Sequence, residues 1–506
     1  MIETKAGLTV ERTLGMGTTK AAQIRAGLNH PIIDADGHFV EVAPVLNDEI
    51  VSYIEEDGGR ELRDRYLSGV VAPIDTSSNL AGRERPEVRD EWRAMPSWWG
   101  WQCRNTLDRA TMHLPELLYQ RLDDFAIDYA ILYPSMTLSF LDMFDHELSP
   151  VLCRAVNRMH ARVFEPYKDR CTVGALVPMP SPEAAIGELR YAVEQLGMKT
   201  AVIAGSTRRP IGRVHAIDPS LDRIAYRLDT YGIDSEYDYD PFWQACMDLG
   251  IGPVSHSSLQ AHRTTRSISN YVYNHVGGLA ANHESLCKSL FLGGVTNRFP
   301  NLKIGFLEGG VGWACSLFAD LIGHWEKRNK SQIGQLDPST LDVDAFMEYV
   351  AKYGDETTIA KSDAVREFFS RPGARPVVLD EFEAVGITQK SDIRDKFVPS
   401  FFFGCEADDP LIAWAFRDDI NPLGAKMQPL FGSDISHWDV PDMTEPVEEA
   451  YELVEHGLVD ESQFREFMFL NAIKLHGAMN PNFFAGSVIE QQVQDAMIEV
   501  GITATR

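Results

Sequence analysis

The stretch Asp34-Ala35-Asp36-Gly37-His38 ends a short apolar run. In an extended strand residues two apart face the same side, so Asp36 and His38 bring a carboxylate and an imidazole to one point. Alone, such a pair is as often a solvated strand end as a site. Two other runs end in the same kind of residue. Val254-Ser255-His256 finishes on an imidazole, and Phe431-Gly432-Ser433-Asp434 finishes on a carboxylate, with Ile435-Ser436-His437-Trp438-Asp439 directly after it. Asp36, His38, His256 and Asp434 supply the mixed nitrogen and oxygen donors that hold a divalent ion. Glu308, at the end of Ile304-Gly305-Phe306-Leu307, is a fifth candidate. Burial can raise such a carboxyl toward neutrality and make it a general base, or it can bind metal as an anion. The plain alternative is an interior Glu paired with an Arg.

These positions need a scaffold that places strand ends side by side. Eight apolar runs serve: Pro31–Ala35, Asp128–Pro134, Thr172–Pro178, Lys199–Ile203, Ile251–His256, Leu302–Leu307, Phe401–Cys405 and Gln428–Phe431. Longer amphipathic stretches separate them, the alternation of parallel strands joined by crossover helices. Residues 172 to 203 read as one β-α-β unit, with Ser181 before Pro182 opening the helix and Gly197 closing it. No G-x-G-x-x-G turn follows the first strand, so the expected fold is a (β/α)8 TIM-type barrel with long loop insertions and a C-terminal extension. Its active site belongs at the C-terminal ends of the strands.

The expected organisation is an N-terminal extension over 1–30, a barrel domain over 31–480 and a C-terminal extension over 481–506. Insertions at about 42–120, 204–242 and 329–398 are long enough to act as lids over the mouth. The first carries Trp92, Trp98, Trp99 and Trp101, which suit an apolar pocket, a subunit interface or packing onto the barrel. A helix near Ile489–Val500 suits an oligomer contact. The chain has 506 residues, and 47 Lys and Arg against 74 Asp and Glu give a net charge of −27. That field repels nucleic acid and anionic lipid. The seven cysteines form no C-x-x-C pair, which suits reduced thiols and a cytoplasmic location. No run approaches the ~18 apolar residues of a membrane span.

The chain resembles the amidohydrolase-related branch of the metal-dependent amidohydrolase superfamily, which contains aminocarboxymuconate-semialdehyde and resorcylate decarboxylases. Asp36-Gly37-His38 resembles the first-strand ligand pair, His256 the strand-five ligand and Asp434 the strand-eight aspartate. Gly294-Val295 to Phe299-Pro300-Asn301-Leu302-Lys303-Ile304 resembles the approach to strand six, and Asn471-Ala472-Ile473-Lys474-Leu475 the terminal helix. The likeness spans about residues 31 to 480. Where the decarboxylases and hydrolases commonly carry a strand-six histidine, this chain has Glu308.

His283, His437 and His275 are the nearest imidazoles that could join. With two of them the site holds more ligands than one zinc normally takes. The metal candidates are therefore Asp36, His38, His256, Asp434, Glu308 and His283, and the catalytic candidates Glu308, His437 and His283. The resemblance extends to amidohydrolase-fold dinuclear non-haem oxygenases. The reading taken is a metalloenzyme with two Fe or Mn ions bridged by Glu308, a monooxygenase hydroxylating a small polar substrate with O2. The alternative is a hydrolase or decarboxylase with a single Zn or similar ion acting on a carboxylate-bearing small molecule. A further alternative is a non-catalytic subunit paired with a homologous chain. A homo-oligomer, or a hetero-oligomer with a related chain, is expected in each case.

Secondary candidates are Glu406 with Asp408 and Asp409, an acidic loop that could orient an ammonium or guanidinium group, and Arg104, Arg208 and Arg209, which could pair with a substrate carboxylate. His256-Ser257-Ser258 could suggest a hydroxyl nucleophile, but the chain has no G-x-S-x-G elbow and no phosphate-binding loop.

Overall fold

The computed structural model describes residues 19–70, 89–97, 104–256, 265–371, 378–437 and 439–502. The eight apolar runs form eight parallel strands: β1 Ile33–Phe39, β2 Tyr129–Pro134, β3 Cys171–Leu176, β4 Thr200–Ile203, β5 Val254–Ser255, β6 Ile304–Phe306, β7 Phe401–Cys405 and β8 Pro429–Phe431. Each pairs with the next in order. The ring closes just past β8, where the Asp434 N–H donates to the Asp36 carbonyl and the His38 N–H to the Ile435 carbonyl, both at 3.0 Å. This is a (β/α)8 barrel. Strands buried on both faces read as continuous apolar runs, which is why β2 and β7 are so plain in the sequence.

β1 is not regular. Its register on β2 slips between Asp34 and Gly37, so one extra residue opposes the neighbour there. A bulge of this kind re-aims side chains, and it sits at the Asp36-Gly37-His38 turn. The β3-to-β4 crossover follows the sequence: Ser181 Oγ accepts from Ala184 N at 3.3 Å, the helix Pro182–Arg190 continues through Gln195, and Gly197 takes φ +68°. Asn471 Nδ2 donates to the Pro429 carbonyl at 2.8 Å and ties the terminal helix to the start of β8.

Two of the insertions lie on the mouth side. The one after β4 carries an antiparallel ribbon, Thr207–Pro210 with Tyr226–Asp229. It is tied to its neighbours by Arg223–Glu91 at 2.7 Å and by Arg266 donating to the Tyr226 hydroxyl at 3.1 Å. Trp92 Nε1 donates to the Arg266 carbonyl at 2.8 Å. Trp98, Trp99 and Trp101 lie outside the described residues.

Two expectations are corrected. Residues 329–398 leave from the C-terminal end of helix Gly312–Arg328, which starts beside the β6 tip. A crossover helix runs back along the barrel, so this insertion emerges on the face away from the mouth and is no lid. The C-terminal helix, Glu490–Glu499, buries Val493, Ala496 and Met497 in one cluster with Ile473, Leu475 and Phe484 of the same chain. Its apolar face is therefore already used. Among the described residues six cysteines are free and buried, and no helix is long and apolar enough to cross a membrane.

Candidate metal centre

Asp36 and His38 from β1, His256 beyond β5, Glu308 beyond β6, and Asp434 and His437 beyond β8 converge at one end of the barrel. His38 Nε2 is 3.5 Å from Asp36 Oδ1, 3.4 Å from Asp434 Oδ1 and 3.3 Å from His256 Nε2. His256 Nε2 is 3.0 Å from Glu308 Oε2. His437 Nδ1 is 2.7 Å from Asp434 Oδ1 and 4.0 Å from Glu308 Oε2, and its ring stacks on His38 with centroids 3.7 Å apart. Two ligand groupings overlap at His38: Asp36, His38 and His256, and His38, Glu308, Asp434 and His437.

Small residues make room for this cluster. A Cβ at Gly37 would collide with the Asp34 carboxylate, and one at Gly432 would lie 2.9 Å from Asp36 Cβ. Asp34, which sequence reasoning passed over, is the pin beneath the site. It accepts from Ser433 N at 3.0 Å, Ser433 Oγ at 2.6 Å and Asp36 N at 3.2 Å, so it locks β1 to the β8 loop. Its position two residues before Asp36 was the available signal. Glu308 and Asp434 hold φ +57° and +49°, left-handed values that are uncommon for residues with a Cβ and concentrate at functional sites. Gly37→Ala is expected to lower ion affinity at least ~10-fold and stability by ~1–3 kcal/mol, because the added methyl must displace Asp34. Metal titration and chemical denaturation of the variant read the two effects.

The electrostatics are those of a cation site with its charges unmatched. Burial drives the Asp36 and Asp434 carboxyls well above the usual range, helped by Glu308 beside both. Burial likewise pushes His38 well below 6.5 and His437 down to about 4. Asp36 Oδ1 and Asp434 Oδ2 are buried and accept no hydrogen bond, while Asp434 Oδ1 faces His437 Nδ1 at 2.7 Å. Buried acceptors left this way cost free energy unless something completes them. A divalent ion fits this set: hard oxygen donors with imidazole nitrogens, within reach of one another.

His283 is buried, but its Nε2 lies 2.7 Å from the Leu307 carbonyl, and it belongs to none of the ligand groupings among the described residues. That contact ties its ring to the backbone just past β6. Of the two states open to Glu308, its surroundings favour the anion. Burial acts upward, but the His256 hydrogen bond and the His256, His437 and His275 charges outweigh it and hold the group down at about 2. Its partners are imidazoles, with no Arg.

Glu308 also lines a cavity of about 380 Å³ with His275, Leu279, Gly309, Glu406 and Asp439. Burial and the surrounding carboxylates lift Glu406 to about 8 and Asp439 to about 7. Glu406 is thus a wall of the cavity, not a solvated loop residue. His275 Nε2 lies 3.7 Å from Asp439 Oδ2, and His275, Glu308 and Asp439 form a third ligand grouping. Of the arginines, Arg208 is committed to Asp142 at 2.7 Å, and Arg209 to Asp229 at 3.0 Å and the Tyr239 hydroxyl at 2.8 Å. Ser257 and Ser258 lie outside the described residues.

A family model described as amidohydrolase matches residues 33–352, more than half of the chain. Comparison with curated proteins gives no match. Among solved structures, an amidohydrolase from Mycobacterium avium subsp. paratuberculosis K-10 is 16% identical with a TM-score of 0.50, over 89% of this chain and 100% of that one. A dihydroxybenzoic acid decarboxylase from Polaromonas sp. JS666, with bound manganese and the inhibitor 2-nitroresorcinol, is 15% identical with a TM-score of 0.46, over 88% and 97%. The 5-carboxyvanillate decarboxylase of Sphingomonas paucimobilis is 14% identical with a TM-score of 0.42, over 88% and 98%. At such identities the likeness is one of fold.

Proposed function

The chain belongs to the amidohydrolase family, and we propose that it is a metal-dependent enzyme of redox-neutral chemistry, cleaving a small molecule by hydrolysis or decarboxylation with one divalent ion. The observation that carries this reading is the set of buried Asp36 and Asp434 oxygens that accept no hydrogen bond beside His38 and His256. Asp36, His38, His256 and Asp434 would hold the ion. When bound, such an ion supplies Lewis acidity and a water of lowered pKa. Glu308, which lines the cavity, and His437, 4.0 Å from it, are placed to take a proton from the reacting centre and return it. His256 Nε2 lies 3.0 Å from Glu308, so that carboxylate stands directly beside the ligand set.

The cavity wall bears on the substrate. Among the described residues, Glu308, Glu406 and Asp439 line it without a Lys or Arg. Glu308 is held ionised there, while Glu406 and Asp439, lifted to about 8 and about 7, can offer protons as hydrogen-bond donors, so the wall suits a polar substrate group beside the ion. Glu308→Gln is expected to lower kcat by ~10²–10⁴-fold with the ion retained, since the amide keeps the shape but cannot carry the proton. Turnover and elemental analysis of the same preparation check it.

A second reading, the dinuclear Fe or Mn oxygenase, is favoured by one observation: His275, Glu308 and Asp439 form an outer grouping that shares Glu308 with the inner one. Elemental analysis of protein produced with iron, manganese and zinc available, together with turnover under argon, separates the two. One ion per chain and oxygen-independent turnover support the first reading. Two ions, with strict need for O2 and a reductant, overturn it in favour of the second. A silent subunit would keep the activity of its assembly unchanged after Asp36→Ala.

A further inference from the structure

The insertion on the face away from the mouth contains helices Val343–Tyr353, Glu356–Ala360 and Ser362–Ser370. In the first, Phe346, Tyr349, Val350 and Tyr353 recur at i, i+3, i+4 and i+7, the spacing of one apolar face. In the last, Val365, Phe368 and Phe369 do the same. The Phe346 and Phe369 rings join the two helices with centroids 4.4 Å apart, Phe368 meets Phe369 at 5.1 Å, and Tyr349 stacks toward Tyr353 at 6.4 Å. The result is a continuous aromatic surface, and it is open to solvent. Tyr349 is 64% exposed, Tyr353 70% and Phe368 65%. Ile359, Leu336 and Leu341 on the adjoining segments are exposed as well.

Helices of 11, 5 and 9 residues are too short to hold themselves in water; in proteins such helices persist by burying an apolar face. Here Val350 is the one buried residue of the three helices. At the usual area of an aromatic side chain, the exposed face amounts to roughly 600 Å², at or above the largest apolar patch of an ordinary monomer. Doubled across a two-fold axis, that is about 1,200 Å², enough to enter the range of specific interfaces. Charges of both signs accompany it: Arg366 pairs with Asp344 and Arg371 with Glu367 inside the chain, and Lys352 and Lys361 lie among Glu348, Glu356 and Asp363. Two copies can meet across such a rim by pairing opposite charges. The same acidic residues oppose an anionic lipid surface.

We propose that the 343–370 helices are a homodimer contact, in which Tyr349, Tyr353 and Phe368 of one copy pack against the same residues of a second copy about a two-fold axis. An isologous contact of this kind uses one patch twice and closes the assembly. Because the insertion leaves the barrel opposite the strand tips, both mouths stay open in the pair.

Sedimentation of the full chain at micromolar concentration tests the proposal. The native protein is expected at twice 56.7 kDa, and the triple variant Tyr349→Glu, Tyr353→Glu, Phe368→Glu at 56.7 kDa, with association weakened at least ~100-fold. The substituted side chains are exposed, and unchanged amide protection in β2, β3 and β7 verifies that the variant is folded. In the native protein, protection over 343–370 should rise with concentration. A native chain that stays at 56.7 kDa overturns the proposal. So does a folded triple variant that keeps the doubled mass, or a native monomer that floats with phosphatidylglycerol vesicles.

Discussion

Asp434→Ala is expected to lose the bound ion and at least ~10³-fold in kcat/KM, the largest effect of any single substitution in this chain. Each tenfold in rate corresponds to ~1.4 kcal/mol of barrier, and a Lewis-acidic ion contributes several kcal/mol. Both Asp434 oxygens are buried; Oδ2 accepts no hydrogen bond, and Oδ1 lies 3.4 Å from His38 Nε2 and 2.7 Å from His437 Nδ1. Removing the carboxylate leaves a cluster of imidazoles with Asp36 and Glu308, too little charge at the β8 side to retain a divalent cation. Asp34→Asn offers the contrast. It touches no proposed ligand atom but loosens Ser433 and the Asp36 backbone, so ion affinity is expected to fall only ~10–100-fold. Elemental analysis and kinetics on both variants check the order. If Asp434→Ala retained ion and activity, the ligand assignment would be wrong.

The contrast between Asp434 and Asp34 also marks how far the sequence could be read. The strands were legible because a barrel buries them on both faces, so Ala130-Ile131-Leu132-Tyr133 and Phe401-Phe402-Phe403 carry no polar break. The strand-tip donors were legible because a carboxylate or imidazole at the end of such a run has few other reasons to be there. Asp34 was not, since it looks like one more acidic residue until Ser433 is seen bonded to it. Which of its two states Glu308 takes was not legible for the same reason. Burial is readable from its apolar run, but the imidazoles that outweigh burial come from elements 52 residues before it and 129 after, counted from His256 and His437. The direction of His283 was not legible either: a helical histidine near a strand tip can face the mouth or the strand's own carbonyls, and Nε2 of this one faces Leu307. The C-terminal helix has an apolar face whichever surface it covers, so periodicity alone gave no choice between its own barrel and another chain. The 329–398 insertion did carry a usable signal, because a segment lying between a helix and the next strand must sit at the end of the barrel away from the active site.

Stripping the ion with a chelator is expected to lower stability, and most strongly at alkaline pH. In the ion-free chain Asp36 and Asp434 have folded pKa values well above those of unfolded Asp, and Asp34 is raised to about 6, all chiefly by burial. The folded state then binds more protons than the unfolded state from about pH 4 upward, so stability is lost as pH rises through the raised values. Histidines act the other way. His38 is depressed well below 6.5, and burial brings His437 and His283 to about 4 and His160 and His476 to about 3. Their unfolded forms take up protons first, so stability is lost as pH falls below 6.5. The ion-free protein should therefore be most stable slightly on the acid side of neutral and weaken toward pH 8. A divalent ion counters only the alkaline limb, because it binds the ionised carboxylates. At a hundredfold excess over Kd it should add ~3 kcal/mol there and progressively less as pH falls and protons compete. Thermal melts with chelator and with added manganese or zinc, across pH 5 to 8, measure the gap between the two curves. A gap that widened toward low pH would mean that these carboxylates are not where the ion binds.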